Sequence, residues 1–154
     1  MWLGNGGLTA SPATTSTPTT SSTPQTSLPP GNYPVDALLT GSCLGRFPDA
    51  WQPTYDVVSC ATPHSAQVIR AGQVPGFAAG AFPGESAVQA TVLPLCTELG
   101  VLEPSIAQAH PNVVITFHYP VTVAQWRESR GAFVCFAAES EGGPLTDSLV
   151  SSVG

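Results

Sequence analysis

The pattern of hydrophobic and polar residues changes at about residue 36. Over residues 9–30, 18 of 22 positions are Ser, Thr or Pro, and none is charged. Such a segment has too little apolar surface to offset the entropy lost on ordering, so it stays extended and solvated. We therefore predict a disordered Ser/Thr/Pro-rich stalk over residues 1–35 and one folded domain over residues 36–154.

Behind the stalk, short apolar stretches are separated by turn residues, a pattern typical of β-strands. The clearest stretch alternates strictly: Val113, Ile115 and Phe117 share one face, and His118 lies on the other. The stretches predicted to be strands are residues 40–45, 55–61, 64–71, 112–119 and 131–138.

One long helix is predicted over residues 86–99. Its apolar positions recur every three or four residues, which places them on one face of a helix, and Ser86 with Gln89 has the spacing of a capping box. Pro94 must kink this helix or end it early, because proline lacks the backbone N–H. A second capping box, Thr122 with Gln125, predicts a short helical turn. Strands with one main helix between them indicate an α+β fold, a mostly antiparallel sheet with a helix packed on it.

Charged residues are few: ten acidic side chains, four arginines and no lysine give a net charge of −6. Affinity for nucleic acid depends on Lys and Arg contacts to phosphate, so a nucleic-acid partner is not expected. A polybasic surface for anionic lipids is excluded on the same grounds.

The four cysteines, Cys43, Cys60, Cys96 and Cys135, are isolated from one another and follow a segment that cannot fold. This arrangement predicts a disulfide-stapled domain outside the cytoplasm, secreted or anchored to the membrane. The sequence begins MWLGNGGL, which is too short for a signal peptide. Trp2 and Leu3 are typical of the outer end of a membrane helix, so we expect the anchor in a segment absent from this chain.

The order of these residues resembles the actinobacterial septum formation-related domain. The resemblance covers residues 40–150 and depends on the four cysteines, on Pro63-His64 and on Trp126 followed by Arg130. It implies a domain held outside the cell behind a Pro- or Thr-rich linker, without an enzymatic activity. The chain has Ser42 and Gln67 where the family pattern is acidic, so no role that needs those carboxylates is expected.

Four cysteines allow three pairings. We predict Cys43–Cys60, which would join two adjacent strands, and Cys96–Cys135, which would tie the helix to the last strand. The alternative is a metal site, since Cys60 and His64 have C-x3-H spacing. Structural zinc sites usually take their ligands in close pairs, which the other cysteines do not form. We therefore expect no metal and no cofactor.

Candidate binding residues are His64, Trp126 and Arg130. His64 follows a proline in a turn, where a structural hydrogen bond is the simpler interpretation, and no motif of a hydrolase accompanies it. Trp126 and Arg130 lie four residues apart and could stack to form a recognition patch. Alternatively, Trp126 packs in the core and Arg130 pairs with Glu128 or Asp147.

The sequence thus favours a non-enzymatic binding or scaffolding domain at the bacterial cell envelope, linked to septum formation through the family resemblance. Its partner would be an envelope protein or a glycan. Two alternatives stay open. The first is an envelope hydrolase that uses His64 with a carboxylate such as Asp56 or Glu85, and the second is a purely structural spacer domain.

Overall fold

The computed structural model describes residues 28–76, 81–98 and 104–150. In this part of the chain, six strands form one sheet in the order β1-β3-β2-β4-β6-β5, and all paired strands are antiparallel. The α+β class is therefore confirmed. The strands are β1 (Gly31–Pro34), β2 (Cys43–Leu44), β3 (Thr54–Val58), β4 (Ala66–Gln73), β5 (Val113–His118) and β6 (Ala132–Glu139); the helices are α1 (Glu85–Thr97), α2 (Pro104–Ala109) and α3 (Val123–Ser129).

The first strand corrects the predicted boundary of the stalk. The predicted disordered segment extends to residue 35, yet β1 pairs along its length with β3. Asn32 donates a side-chain hydrogen bond to Asp56 at 2.8 Å, and the Tyr33 hydroxyl donates to the Pro29 carbonyl at 2.8 Å. Strand pairing thus orders a short segment that has little apolar surface of its own. The rest of the predicted stalk, residues 1–27, lies outside the described residues.

The sheet is covered on both faces at its centre. On β6, Phe133, Cys135 and Ala137 contact the core beneath the helices, whereas Val134 and Phe136 belong to a second core on the other face. Loops around β2 and β3 close that second core. Strands covered on both faces lose the alternation of buried and exposed residues, and residues 133–137 are accordingly all buried.

The helix starts were predicted with mixed success. At α3, Thr122 Oγ1 accepts a hydrogen bond from the Gln125 backbone N–H at 3.1 Å, which confirms the N-cap. The capping box predicted at Ser86 is wrong, because α1 begins at Glu85 after Gly84, whose φ of 105° favours glycine. Pro94 lies inside α1, which continues to Thr97. The predicted end of this helix, residues 99–100, lies outside the described residues, and α2 was not predicted.

Both predicted disulfides are present. Cys43–Cys60 joins β2 to the end of β3 with a Cα–Cα distance of 5.3 Å, and Cys96–Cys135 joins α1 to β6 at 5.4 Å. Because Cys60 is bonded to Cys43, its sulfur is not a thiolate that could bind a metal together with His64.

Candidate functional site

The structure places Trp126 in the core and not on a recognition surface. Its side chain is 3% exposed and packs against Phe82 with ring centroids 5.9 Å apart. Gly131 closes over the indole, where an added Cβ would lie 3.2 Å from the ring. Arg130 is exposed at the C-cap of α3, with a left-handed φ of 57°. The core alternative for Trp126 is therefore the one observed, although Arg130 forms no ion pair with any described residue.

His64 is buried as well, at 2% exposure. Its backbone exchanges hydrogen bonds with Leu145 at 2.9 and 2.7 Å, and its Nδ1 lies 2.8 Å from the Thr62 carbonyl. A carbonyl can only accept, so Nδ1 donates this hydrogen bond. Nε2 is buried and has no hydrogen-bond partner among the described residues. The residue thus helps to fasten the C-terminal segment to the sheet.

A third tryptophan, Trp51, is presented outward by a tightly bonded loop between β2 and β3. Trp51 is 49% exposed, yet Asp49 Oδ1 accepts a hydrogen bond from its backbone N–H at 2.7 Å. Asp49 Oδ2 accepts from the Gln52 side-chain amide at 3.1 Å, and the Tyr55 hydroxyl donates to the Asp49 carbonyl at 2.6 Å. Burial raises the pKa of Tyr55 to about 12, so this hydroxyl keeps its proton at neutral pH. Trp51 is therefore exposed on a fixed backbone.

Beneath Trp51 lies a cavity of about 310 Å³, which we call the Trp51 groove. It lies at the end of the sheet where α3 connects β5 to β6. Its volume is near the lower limit for small-ligand sites. The lining residues are Val35, Asp36, Trp51, Gln52, Pro53, His118, Pro120, Gln125, Glu128, Ser129, Ala132 and Val134.

The ionisable groups that line the Trp51 groove are two carboxyl groups and one imidazole. Asp36 and Glu128 supply carboxylates, and no arginine lines the cavity. His118 packs against Trp51 with centroids 5.1 Å apart, and its Nδ1 donates to the Ala50 carbonyl at 3.0 Å. Burial lowers the pKa of His118, against the opposing effects of that carbonyl and of Asp36. The ring is therefore neutral at pH 7, and its Nε2 is an acceptor.

The sequence predictions missed this groove. The alternation of residues 113–118 places His118 on the face opposite Val113, Ile115 and Phe117, but no sequence pattern points to Trp51. The available signal was local: Asp49 stands two residues before Trp51, which suits an Asx-turn, and prolines flank the loop on both sides. Asp36 and Glu128 are too distant along the chain for any motif to connect them.

Comparison with protein-family models, with curated proteins and with solved structures gave no match for this chain. None of the helices in the described residues is long and apolar enough to cross a membrane. Those residues also contain no cluster of His, Cys, Asp and Glu side chains that could hold a metal ion.

Proposed function

We propose that this protein is a non-enzymatic binding domain on the outer side of the bacterial cell envelope, and that the Trp51 groove is its binding site. The observation that carries the proposal is the half-exposed Trp51, held over a cavity by a loop whose hydrogen bonds fix its backbone. Tryptophan is among the residues that dominate the energy of binding interfaces. A loop that is already ordered also loses little entropy when a partner binds.

An extracytoplasmic location is supported by the two disulfides, which are compatible with an oxidising compartment. The proposed tether or spacer is the Ser/Thr/Pro-rich segment. The resemblance to septum formation-related domains is the reason for proposing a partner, protein or glycan, that acts in septum formation.

Binding is a better supported function than catalysis by His64. In the described residues, the His64 ring is buried and has a hydrogen bond to a carbonyl, but none to a carboxylate that could orient it as a general base. The spacer alternative does not account for the outward position of Trp51.

The proposal is tested by cosedimentation of the full oxidised chain with washed envelopes from an actinobacterium. We expect saturable binding that weakens about tenfold or more in Trp51→Ala. Leu93→Ala is the matched control, because Leu93 is 48% exposed on α1 and does not line the groove. If both variants lose binding to the same extent, or if neither loses any, the groove is not the binding site. The link to division is tested separately. A fluorescent fusion of this protein, exported to the envelope, should be enriched at the septum.

A further inference from the structure

We infer that the Trp51 groove binds a cationic side chain, lysine or arginine, of a partner polypeptide. This inference rests on the proposed function and narrows it to one chemical class of partner. It depends on the signs of the groups that line the cavity and on the aromatic wall above them.

The first argument is charge. Both ionisable carboxyl groups of the lining, Asp36 and Glu128, are exposed to solvent at the cavity and form no ion pair with a described residue. Arg127 and Arg130 lie near Glu128 along the chain, but neither lines the groove. A cation entering the groove would therefore meet two carboxylates and no competing guanidinium, whereas an anion would be repelled.

The second argument is hydrogen bonding. The Nδ1–H of His118 donates to the Ala50 carbonyl, which leaves Nε2 of this lining residue as an acceptor. Ammonium and guanidinium groups carry only donors, so they can pair with this nitrogen and with the carboxylates of Asp36 and Glu128.

The third argument is the aromatic wall. Trp51 packs on His118 and, edge to face, on Tyr119 with centroids 5.3 Å apart, and about half of its surface stays open. A cation over an indole face is attracted by the ring's quadrupole. The cavity volume of about 310 Å³ suits one side chain and not a folded element.

The test is an NMR titration of the full oxidised chain with Nα-acetyl-lysine methylamide, which follows the indole N–H resonance of Trp51. The uncharged norleucine analogue is the matched probe. We expect the lysine compound to shift the Trp51 resonance saturably and to bind more weakly at high ionic strength, and the norleucine compound to do neither. Asp36→Asn and Glu128→Gln should each weaken binding about two- to fivefold.

The matched control variant is Glu141→Gln, which removes an exposed carboxylate away from the groove and should leave binding unchanged. An unshifted Trp126 resonance shows that the core is intact. Equal binding of the norleucine analogue, or full binding by the Asp36→Asn/Glu128→Gln double variant, would overturn the cationic assignment.

A neutral N-acetylglucosamine trisaccharide distinguishes this inference from the proposed function. If the trisaccharide shifts Trp51 and the lysine compound does not, the groove is a glycan site and only the cationic assignment is wrong. If neither probe shifts Trp51 and Trp51→Ala still sediments with envelopes like wild type, both proposals are refuted.

Discussion

Gln67 on β4 is a buried residue whose replacement should destabilise the fold strongly. Its side chain is fully buried, and its Nε2 donates to the Gly41 carbonyl at 3.1 Å and to Ser148 Oγ at 3.0 Å. Its Oε1 accepts from the backbone N–H of Leu149. Gln67 therefore joins the loop before β2, the centre of the sheet and the C-terminal segment.

Gln67→Leu keeps the approximate volume but removes these three hydrogen bonds and a longer contact from Nε2 to Cys60 Sγ at 4.0 Å. The Leu149 N–H and the Gly41 carbonyl then lose this side-chain partner in the interior, whereas Ser148 keeps its hydrogen bond to the Val150 carbonyl. An unsatisfied buried group costs about 1–3 kcal/mol, and the added apolar side chain offsets part of that. We expect the free energy of unfolding to fall by about 2–4 kcal/mol, a large share of the ~5–15 kcal/mol typical of a domain.

Gln67→Glu tests the same contacts through their dependence on pH. The ionised carboxylate of this variant can still accept from Leu149, but its second oxygen would face the Gly41 carbonyl, an acceptor against an acceptor. Burial and this repulsion both raise the pKa of the new carboxyl in the folded state above its unfolded value of ~4.3. The variant's stability should therefore be closest to wild type below that value and should be lost as the pH rises through the folded pKa.

The assay is guanidinium unfolding of the oxidised chain, followed by tryptophan fluorescence at several pH values. Gln73→Leu and Gln73→Glu are matched controls, because Gln73 is exposed at the end of the same strand. The reasoning is refuted if Gln67→Leu loses less than about 1 kcal/mol, or if Gln67→Glu and wild type respond to pH in parallel.

Three further predictions concern stability in the same assay. Replacing both Cys96 and Cys135 by alanine should cost about 4 kcal/mol on the loop-entropy model; an unchanged unfolding midpoint would contradict it. Trp126→Ala should cost about 3–5 kcal/mol because the indole is buried. Trp51→Ala should cost less, about 1–2 kcal/mol, because this half-exposed indole contacts only the rings of His118 and Tyr119 among the described aromatic residues. Burial lowers the pKa of His118, so wild type should lose stability as the pH falls below the unfolded value of ~6.5. A variant His118→Gln should lack that part of the slope.

Much of the sheet was predictable, because strand signals lie in consecutive residues. The register of the strands and their boundaries were harder to predict. Residues 31–34 have no apolar alternation, and only pairing with β3 makes them a strand. On β4 the alternation fails because Gln67 is buried next to Ala66 and Val68, where loops and the C-terminal segment cover the sheet. Cover of this kind depends on tertiary structure and leaves no local pattern.

The candidate site was less predictable for a related reason: each residue that defines it looks ordinary in its own segment. Trp51 is one aromatic in a loop, and Glu128 is one acid on a short amphipathic helix. They become a site only because α3 returns the chain from β5 to β6 beneath that loop. The same loop is our reason for proposing a binding domain and not a spacer. Four hydrogen bonds among Asp49, Trp51, Gln52 and Tyr55 fix the backbone of this loop, and the Trp51 indole is half exposed on it. In a domain with no binding role, a buried indole would stabilise the fold more than a half-exposed one. Residues that are exposed at a cost in stability are characteristic of functional sites.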